Sequence, residues 1–274
     1  MIKKPKKPIL FFNTFIEKDA YKDIKGVLDS TMLSEGKLVK EFENKLSSEL
    51  GLENPVAVNS GTSALHLALV LAGVKPRDEV ILPAQTFIAT GLVIAQEKAV
   101  PVFADIQLET GNIDPKSVEE KITKKTKAIM VVHWAGTPVD LDEINAMAKK
   151  HKLVVIEDAA HALGATYKGK AIGSISDFTC FSFQAIKHLT TGDGGVVCIK
   201  DQNKVQEAKA RRWFGIDRAN AKESELGERE YDIASIGYKY HMNDYSAVLG
   251  LVNLKNFKSR LLIRRKIAKR YANT

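Results

Sequence analysis

The regular alternation of short apolar runs with longer amphipathic stretches constrains the fold of this chain more than any other feature. Stretches with a helical pattern, such as TSALHLALVLAGV and DLDEINAMAKKHK, lie between most of the apolar runs. Near-continuous apolar strands separated by helices predict a three-layer α/β fold, in which helices cover both faces of a mostly parallel sheet. The predicted strands are PVAVNS (55–60), EVILPA (79–84), AVPVFAD (99–105), KAIMVVHW (127–134), LVVIED (153–158), DFTCFSF (177–183) and GGVVCIK (194–200).

Composition indicates a soluble enzyme of the cytoplasm. The 274 residues suffice for one large domain, and no apolar run approaches the roughly 18 residues that a membrane span needs. The basic N-terminus, MIKKPKKPILFFNTF, lacks the apolar core and cleavage site of a signal peptide. Cys180 and Cys198 both fall in apolar runs, so we expect buried thiols and no disulfide framework.

The net charge of +8 raises the question of a nucleic-acid partner. The lysines and arginines are spread over KITKKTK, MAKKHK and RLLIRRKIAKR and are not interleaved with aromatic residues. This pattern favours solvated helix faces, and we expect neither nucleic acid nor membrane as a partner. Part of the charge is suited to attracting an anionic small molecule.

Parallel α/β sheets bind ligands beyond the carboxyl ends of their strands, so candidate residues are sought there. After the first strand, Gly61, Thr62 and Ser63 stand where a helix begins, at Thr62 or Ser63. Backbone N–H groups and hydroxyls at a helix N-terminus favour a phosphate. Simple N-capping by Ser or Thr explains the same residues and stays open.

Two further strand ends carry ionisable side chains. Asp158 ends the run LVVIED, where a carboxylate needs a cationic or hydrogen-bonding partner, and His161 follows three residues later. A helix cap by Asp158 and a metal pair with His161 are the alternatives. Lys187 lies between the strand TCFSF and the glycine-rich turn TTGDGG, and burial at a strand end lowers the pKa of a lysine and makes it nucleophilic.

Together these sites supply a phosphate cradle, a buried carboxylate and an amine. Pyridoxal 5′-phosphate (PLP) requires this set, because its phosphate must be held, its pyridinium nitrogen needs an anion and its aldehyde binds a lysine. The segments NSGTSALHLAL, PAQTFIAT, EDAAHALGATYKGKAIGSISDFTCFSFQAIKHLTTGDGGVV and IGYKYHMNDYSAVLGL resemble the DegT/DnrJ sugar aminotransferases, which have the fold of aspartate aminotransferase (fold type I). The resemblance runs from about Asn13 to the end of the chain.

The resemblance implies a role for each candidate residue. Lys187 matches the lysine that binds the cofactor and moves the proton, and Asp158 matches the partner of the pyridine nitrogen. His161 falls near the 3-oxygen of the ring, and Phe87 falls where a flat side chain stacks on it; a core Phe on the helix TFIATGLVIA is the alternative. The implied phosphate cradle, including a lysine from the other subunit at a position where many relatives have Asn, is Gly61, Thr62, Ser63, Ser182 and Lys239.

The resemblance also implies substrates and assembly. It predicts transfer of an amino group from L-glutamate to a nucleotide-linked keto-sugar, in a homodimer whose active sites are shared, and one antiparallel strand, GGVVCIK, in the sheet. The expected organisation is an N-terminal segment (1–30), a PLP-binding large domain (31–250) and one long helix (251–274) leading to a small C-terminal domain that this chain lacks. A non-catalytic PLP-binding relative and a fold type I lyase acting on sulfur amino acids are the alternative functions.

Overall fold

The computed structural model describes residues 10, 12–218, 220–231, 233 and 235–272. The predicted N-terminal segment (1–30) and the predicted terminal helix (251–274) therefore lie partly outside the described residues. The helices are α1 (Ala20–Asp29), α2 (Lys37–Leu50), α3 (Gly61–Leu71), α4 (Ile88–Gln96), α5 (Pro115–Glu120), α6 (Leu141–His151), α7 (Val205–Arg211), α8 (Asp244–Leu254) and α9 (Phe257–Ala272). The strands are β1 (Pro55–Val58), β2 (Glu79–Pro83), β3 (Val100–Ala104), β4 (Thr126–Val132), β5 (Val154–Asp158), β6 (Thr166–Tyr167), β7 (Lys170–Ala171), β8 (Phe178–Ser182), β9 (Gly195–Ile199), β10 (Lys222–Glu223) and β11 (Arg229–Glu230).

A seven-stranded sheet forms the centre of the molecule, in the order β1-β9-β8-β5-β4-β2-β3. Strands β2, β3, β4, β5 and β8 pair in parallel, whereas β9 runs antiparallel to both of its neighbours, β8 and β1. All seven predicted strands are present, and the predicted antiparallel strand is the observed one. The predicted α/β fold class is confirmed. The hairpins β6–β7 and β10–β11 lie outside this sheet.

Alternate residues of each central strand pack into cores on opposite faces of the sheet. Along β4, Ile129 and Val131 join the core under α2 and α6, while Ala128 and Met130 join the core under α3 and α4. Both faces are apolar because helices cover both, which is why the strands read as continuous hydrophobic runs. Cys180 and Cys198 are buried free thiols, as expected.

The C-terminal region departs from the prediction of one long helix over 251–274, which is wrong. Helix α8 ends at Leu254 and α9 begins at Phe257. The Arg260 guanidinium donates to the carbonyl of Asn253, a hydrogen bond that replaces one from a helical N–H at the end of α8. The same guanidinium donates to Glu17 Oε1 at 2.7 Å, so this break joins the N-terminal segment to α9.

Helices α8 and α9 sit next to the N-terminal segment, and the buried residue Phe257 fixes α9 to the large domain. Asn253 reaches in two directions: its Oδ1 accepts from the Glu17 N–H at 3.1 Å and its Nδ2 donates to the Thr190 carbonyl at 2.9 Å. The loop that carries Lys187 is thereby tied to α8. Among the described residues, no helix has the combination of length and apolar character needed to cross a bilayer.

Candidate active site

The carboxyl ends of β4, β5 and β8 open into one cavity of about 550 Å³. Most of the predicted site residues line it, although they come from distant parts of the sequence. They are Gly61, Thr62, Phe87, Asp158, His161, Ser182 and Lys187. The cavity therefore stands where ligands bind in an open parallel sheet.

Asp158, the last residue of β5, lies at the floor of this cavity and is only 7% exposed. Its Oδ2 accepts a hydrogen bond from Thr90 Oγ1 at 2.8 Å, and its Oδ1 accepts from the Ala160 N–H at 3.2 Å. Two donors stabilise the carboxylate, which is the condition for burying it. The Ala160 bond caps a turn, no helix begins there, and the site role of Asp158 stays a prediction.

Thr90 was not identified from the sequence. Its side chain is fully buried on α4, and its hydroxyl also contacts Thr86 Oγ1 at 2.6 Å, one helical turn earlier. Since Thr90 donates to Asp158, it accepts from Thr86. The available signal is the pair of threonines at spacing i, i+4 in QTFIAT, followed by an otherwise apolar helix.

A buried pair behind the floor fixes the loop after β4. Glu157 precedes Asp158 and points to the other face of the sheet, where its Oε2 lies 2.7 Å from His133 Nε2. The Val139 N–H donates to His133 Nδ1 at 3.1 Å, so Nε2 carries the proton and donates it to Glu157. Both side chains are fully buried. Sequence analysis did not identify this pair, which anchors the turn Trp134–Gly136 beside the cavity.

His161 stands on the wall of the cavity next to that turn. Its ring centroid lies 6.0 Å from that of Trp134, in an edge-to-face arrangement. Gly136 approaches the His161 carbonyl so closely that a Cβ there would stand 2.8 Å from the oxygen, and its φ of +88° also favours glycine. Burial, followed by the charge of Lys187, lowers the pKa of His161. The imidazole is therefore largely neutral at neutral pH.

Lys187 projects from the loop between β8 and β9 into the same cavity. The backbone N–H of Lys187 donates to the Gln184 carbonyl at 2.8 Å. The loop turns back tightly because the Thr190 hydroxyl donates to the Phe183 carbonyl at 2.9 Å. Burial lowers the pKa of Lys187, and the charge of Asp158 opposes this effect. The neighbouring His188 turns away, with Nε2 2.8 Å from the Leu163 carbonyl oxygen.

The turn from β1 into α3 forms the third side of the cavity. Helix α3 begins at Gly61, and Ser60 caps it by accepting from the Ser63 N–H at 3.0 Å. Gly61 approaches Ser182 so closely that a Cβ at Gly61 would stand 2.8 Å from the Ser182 Cβ, so this position needs a glycine. This helix N-terminus and the adjacent hydroxyl can receive a phosphate.

Ser63 differs from its predicted partners in the phosphate cradle. It does not line the cavity, because its hydroxyl donates to Asn59 Oδ1 at 2.7 Å and also contacts Ser60 Oγ at 2.8 Å. The capping residue is Ser60, to which Ser63 donates its backbone N–H, and a contact of Ser63 with the phosphate stays a prediction. Gly61 and Thr62 line the cavity while Ser60 caps the helix, so the cap leaves room for the predicted phosphate contact, which stays a prediction.

Metal binding was the other alternative for Asp158 and His161. In the part of the chain that the structure describes, no three His, Cys, Asp or Glu side chains form a group that could hold a metal ion. The residues do fit PLP: a buried carboxylate at the floor, an amine on one wall and a helix N-terminus whose glycine backbone lies close to Ser182.

Comparison with known proteins decides the family. The profile of the DegT/DnrJ/EryC1/StrS aminotransferase family matches residues 14–274. The chain belongs to this family. Its members use PLP, which is therefore the cofactor expected in the cavity.

The relatives of this DegT/DnrJ chain include sugar-modifying proteins. It is 42% identical to the spore coat polysaccharide biosynthesis protein SpsC of Bacillus subtilis, over 93% of this chain and 66% of that protein. It is 39% identical to GDP-perosamine synthase of Caulobacter vibrioides, over 88% of this chain and 62% of that protein. The chain thus spans about two thirds of the length of these relatives.

Solved structures of sugar aminotransferases match the fold closely. The PLP form of Spr1654 from Streptococcus pneumoniae, assigned as a sugar aminotransferase, superposes with a TM-score of 0.89 at 36% identity. The match covers 97% of this chain and 71% of that one. The DegT/DnrJ fold therefore extends over almost all of the chain.

Two residues assigned from the family resemblance lie in different settings. Phe87 is 70% exposed at the cavity mouth and precedes α4, so the alternative of a core phenylalanine is wrong. Lys239 lies outside the cavity, with its Nζ 3.7 Å from the centroid of the Trp213 ring and 5.2 Å from that of Phe214. A contact of Lys239 with the cofactor of another subunit stays a prediction.

Proposed function

We propose that this chain is the cofactor-binding part of a PLP-dependent aminotransferase that moves an amino group from L-glutamate to a nucleotide-linked keto-sugar. The product would be an amino sugar for a surface polysaccharide or another glycan. One observation carries the proposal: Asp158, Lys187 and the Gly61–Ser182 cradle surround a single cavity. The relatives named for GDP-perosamine and for spore coat polysaccharide support the sugar-nucleotide acceptor.

PLP, when bound, supplies an aldehyde that combines with amines and a pyridinium ring that accepts electrons. Asp158 is the residue proposed to hold the proton on the ring nitrogen, because an anion beside that nitrogen favours its protonated form. The Thr90 hydroxyl and the Ala160 N–H each donate a hydrogen bond to the Asp158 carboxylate and fix its orientation. The carboxylate is thus oriented before the ring arrives, which limits the cost of binding.

Lys187 is the amine proposed to attach the cofactor and to carry the transferred proton on Nζ. The lowered pKa increases the fraction of neutral amine at neutral pH, and only the neutral amine is a nucleophile or a base. The tight loop around Lys187 limits the positions that Nζ can reach. This combination of a lowered pKa and a restrained backbone suits a proton carrier.

The remaining residues of the cavity would hold the cofactor in place. Gly61, Thr62 and Ser182 form the proposed phosphate cradle, where the positive end of the α3 dipole favours an anion. Phe87 is proposed to cover one face of the ring. His161, kept neutral by its lowered pKa, is proposed to contact the ring's 3-oxygen as a hydrogen-bond partner.

The assembly and the domain organisation are part of the same proposal. We propose a homodimer in the cytoplasm, in which Lys239 approaches the phosphate cradle of the partner subunit. The position of Lys239 outside the cavity of its own chain is compatible with that role. Residues 1–30, 31–250 and 251–274 are proposed as N-terminal segment, large domain and connection to a small domain, with the helix break at residues 255–256 included in the last part.

Trapping of the cofactor tests the central claim. Protein incubated with equimolar PLP and reduced with borohydride should carry one added phosphopyridoxyl group, located by peptide mass spectrometry on Lys187. Lys187→Ala should carry none, while Lys200→Ala, which removes an exposed lysine after β9, should behave like the wild type. Labelling of a different lysine in the wild-type protein would reject the assignment of the site.

Transfer itself is tested with the nitrogen label. L-Glutamate labelled with ¹⁵N and a set of nucleotide-linked keto-sugars are incubated with the PLP-loaded protein, and the label is followed into the sugar. Appearance of ¹⁵N in a sugar nucleotide supports an aminotransferase. A trapped adduct on Lys187 without transfer to any keto-sugar would instead favour the non-catalytic PLP-binding relative.

A further inference from the structure

A second cavity, of about 300 Å³, adjoins the main one and is here called the arginine cavity. His161 lines both cavities, so the two spaces meet at this residue. The other lining residues come from the turn after β4, the turn after β5, the Lys187 loop and helix α9. They are Ala135, Gly136, Ala162, Leu163, Ala165, His188, Leu261, Arg264, Arg265 and Ala268.

Helix α9 presents one face to this space. Leu261, Arg264, Arg265 and Ala268 follow the spacing of residues that share a helix face, and all of them line the cavity. The helix packs closely against the turn after β5: Leu261 lies so near Gly164 that a Cβ at Gly164 would stand 2.7 Å from Leu261 Cδ2. The position of the two arginines is therefore set by packing one helical turn away.

The two arginines differ in what they already bind. Arg265 Nη2 donates to the Gly164 carbonyl at 3.0 Å and so helps to hold the turn. For Arg264, the described part of the chain offers no hydrogen bond and no ion pair. The charge of Arg264 nevertheless acts on its neighbours. Burial is the main cause that lowers the pKa of His188 and the pKa of Arg260, and the positive charge of Arg264 lowers both pKa values further.

An amino donor makes a demand that the main cavity does not meet. Every amino acid carries a carboxylate, and removing a carboxylate from water is unfavourable unless a cation or several donors replace the water. No arginine lines the main cavity within the described residues, and its lysine, Lys187, is assigned to the cofactor. Its acidic residues, Asp158 and Asp193, would repel a second anion.

We propose that the arginine cavity binds a carboxylate of the amino donor and that Arg264 is the side chain that recognises it. The inference rests on the proposed aminotransferase function and adds a site for its amino-acid substrate. A guanidinium forms two parallel hydrogen bonds with a carboxylate, and the remaining three of its five donors stay available for water or the Leu163–Gly164 turn. The lining side chains of this cavity include no carboxylate, so the anion meets no acidic neighbour there.

Binding of glutarate, a dicarboxylate without an amine, tests the site without any reaction. Isothermal titration calorimetry on the PLP-loaded protein at low ionic strength should give a Kd that rises about fivefold in Arg264→Gln, a moderate factor because the arginine is exposed. The Kd of Arg264→Lys should lie between those of the wild type and Arg264→Gln, because lysine keeps the positive charge but cannot form the two parallel hydrogen bonds. Lys266→Gln removes the same charge from an exposed position of α9 outside the cavity and should leave the Kd unchanged.

A kinetic comparison adds a readout that a structural role would not move. Arg264→Gln should raise KM for L-glutamate with little change in kcat, and should leave the reaction of the carboxylate-free amine n-propylamine unchanged. Equal Kd values for Arg264→Gln and Lys266→Gln, or no glutarate binding by the wild-type protein, would overturn the proposal.

The outcomes also separate this site from the proposed enzyme. Suppose that borohydride traps an adduct on Lys187 but the Kd for glutarate is the same in Arg264→Gln as in the wild type. The proposed arginine site is then wrong, and the proposed aminotransferase function stands. Glutarate binding that depends on Arg264, without an adduct on Lys187, retains the carboxylate site and rejects the aminotransferase.

Discussion

Replacing Thr90 with valine should destabilise the protein through the carboxylate that Thr90 supports. The side chain is fully buried and valine has nearly the same shape, so the substitution leaves no cavity. It removes the hydroxyl that donates to Asp158 Oδ2 at 2.8 Å. The carboxylate, 7% exposed, then keeps only the longer bond from the Ala160 N–H at 3.2 Å.

The expected loss follows from the charge on the acceptor. A hydrogen bond to a charged group contributes about 1.5–3 kcal/mol, and a buried partner left without its donor loses that amount. The extra methyl group returns part of it, about 0.8 kcal/mol for one buried carbon. We therefore expect the free energy of unfolding to fall by about 1–2 kcal/mol in the protein without cofactor.

Urea unfolding followed by circular dichroism measures this difference, provided that the transitions share one slope. Thr86→Val is the matched control, because it removes the contact between the two hydroxyls and leaves the bond from Thr90 to Asp158 intact. Thr90→Ser keeps the donor and should recover most of the stability lost in Thr90→Val. If Thr90→Val and Thr86→Val unfold at the same urea concentration, the Thr90 bond does not stabilise the buried carboxylate and the argument fails.

Two further predictions concern the cradle and pH. Gly61→Ala should weaken PLP binding about tenfold, because its Cβ would stand 2.8 Å from that of Ser182 and must displace it. Gly26→Ala, in α1 with open space around it, is the control for fluorescence titration with PLP and should bind normally. Burial and neighbouring cations lower the pKa of His241 to about 4, against about 6.5 when unfolded, so the unfolded chain binds the proton more readily between these values. Stability should fall as pH drops from about 6.5 to about 4, and His241→Gln should flatten this fall, whereas His151→Gln, at an exposed position, should not.

The fold could be predicted almost completely because both faces of the sheet are covered. Strands with two buried faces appear in the sequence as continuous apolar runs, and each of the seven ends within two residues of its predicted boundary. The division of the C-terminal helix was missed because its cause is not local. It depends on Arg260 meeting the Asn253 carbonyl and Glu17, and Glu17 lies near the other end of the chain.

The placement of the cavity residues was predictable where an ionisable residue follows a strand, as for Asp158 and Lys187, which line the same cavity. Residues that act through another side chain left little trace. Thr90 reads as an ordinary helical residue until the structure brings it to Asp158, and His133 shows its role only when Glu157 faces it across two strands. Ser63 was assigned to the cradle because a sequence motif does not tell which way a hydroxyl turns.

The position of β9 between β8 and β1 has a consequence for how the molecule forms. Pro55 of β1 pairs with Cys198 of β9, so the first strand of the sheet has no partner until the last one has been made. Closing so long a loop is slow, because its entropy is lost before any contact compensates for it. The close approach of Gly61 to Ser182 depends on the same closure, since β9 pairs both with β1, which leads into Gly61, and with β8, which ends at Ser182. Acquisition of PLP by a refolding chain should therefore be a late event, and cofactor fluorescence should report the completion of the sheet rather than the formation of its helices.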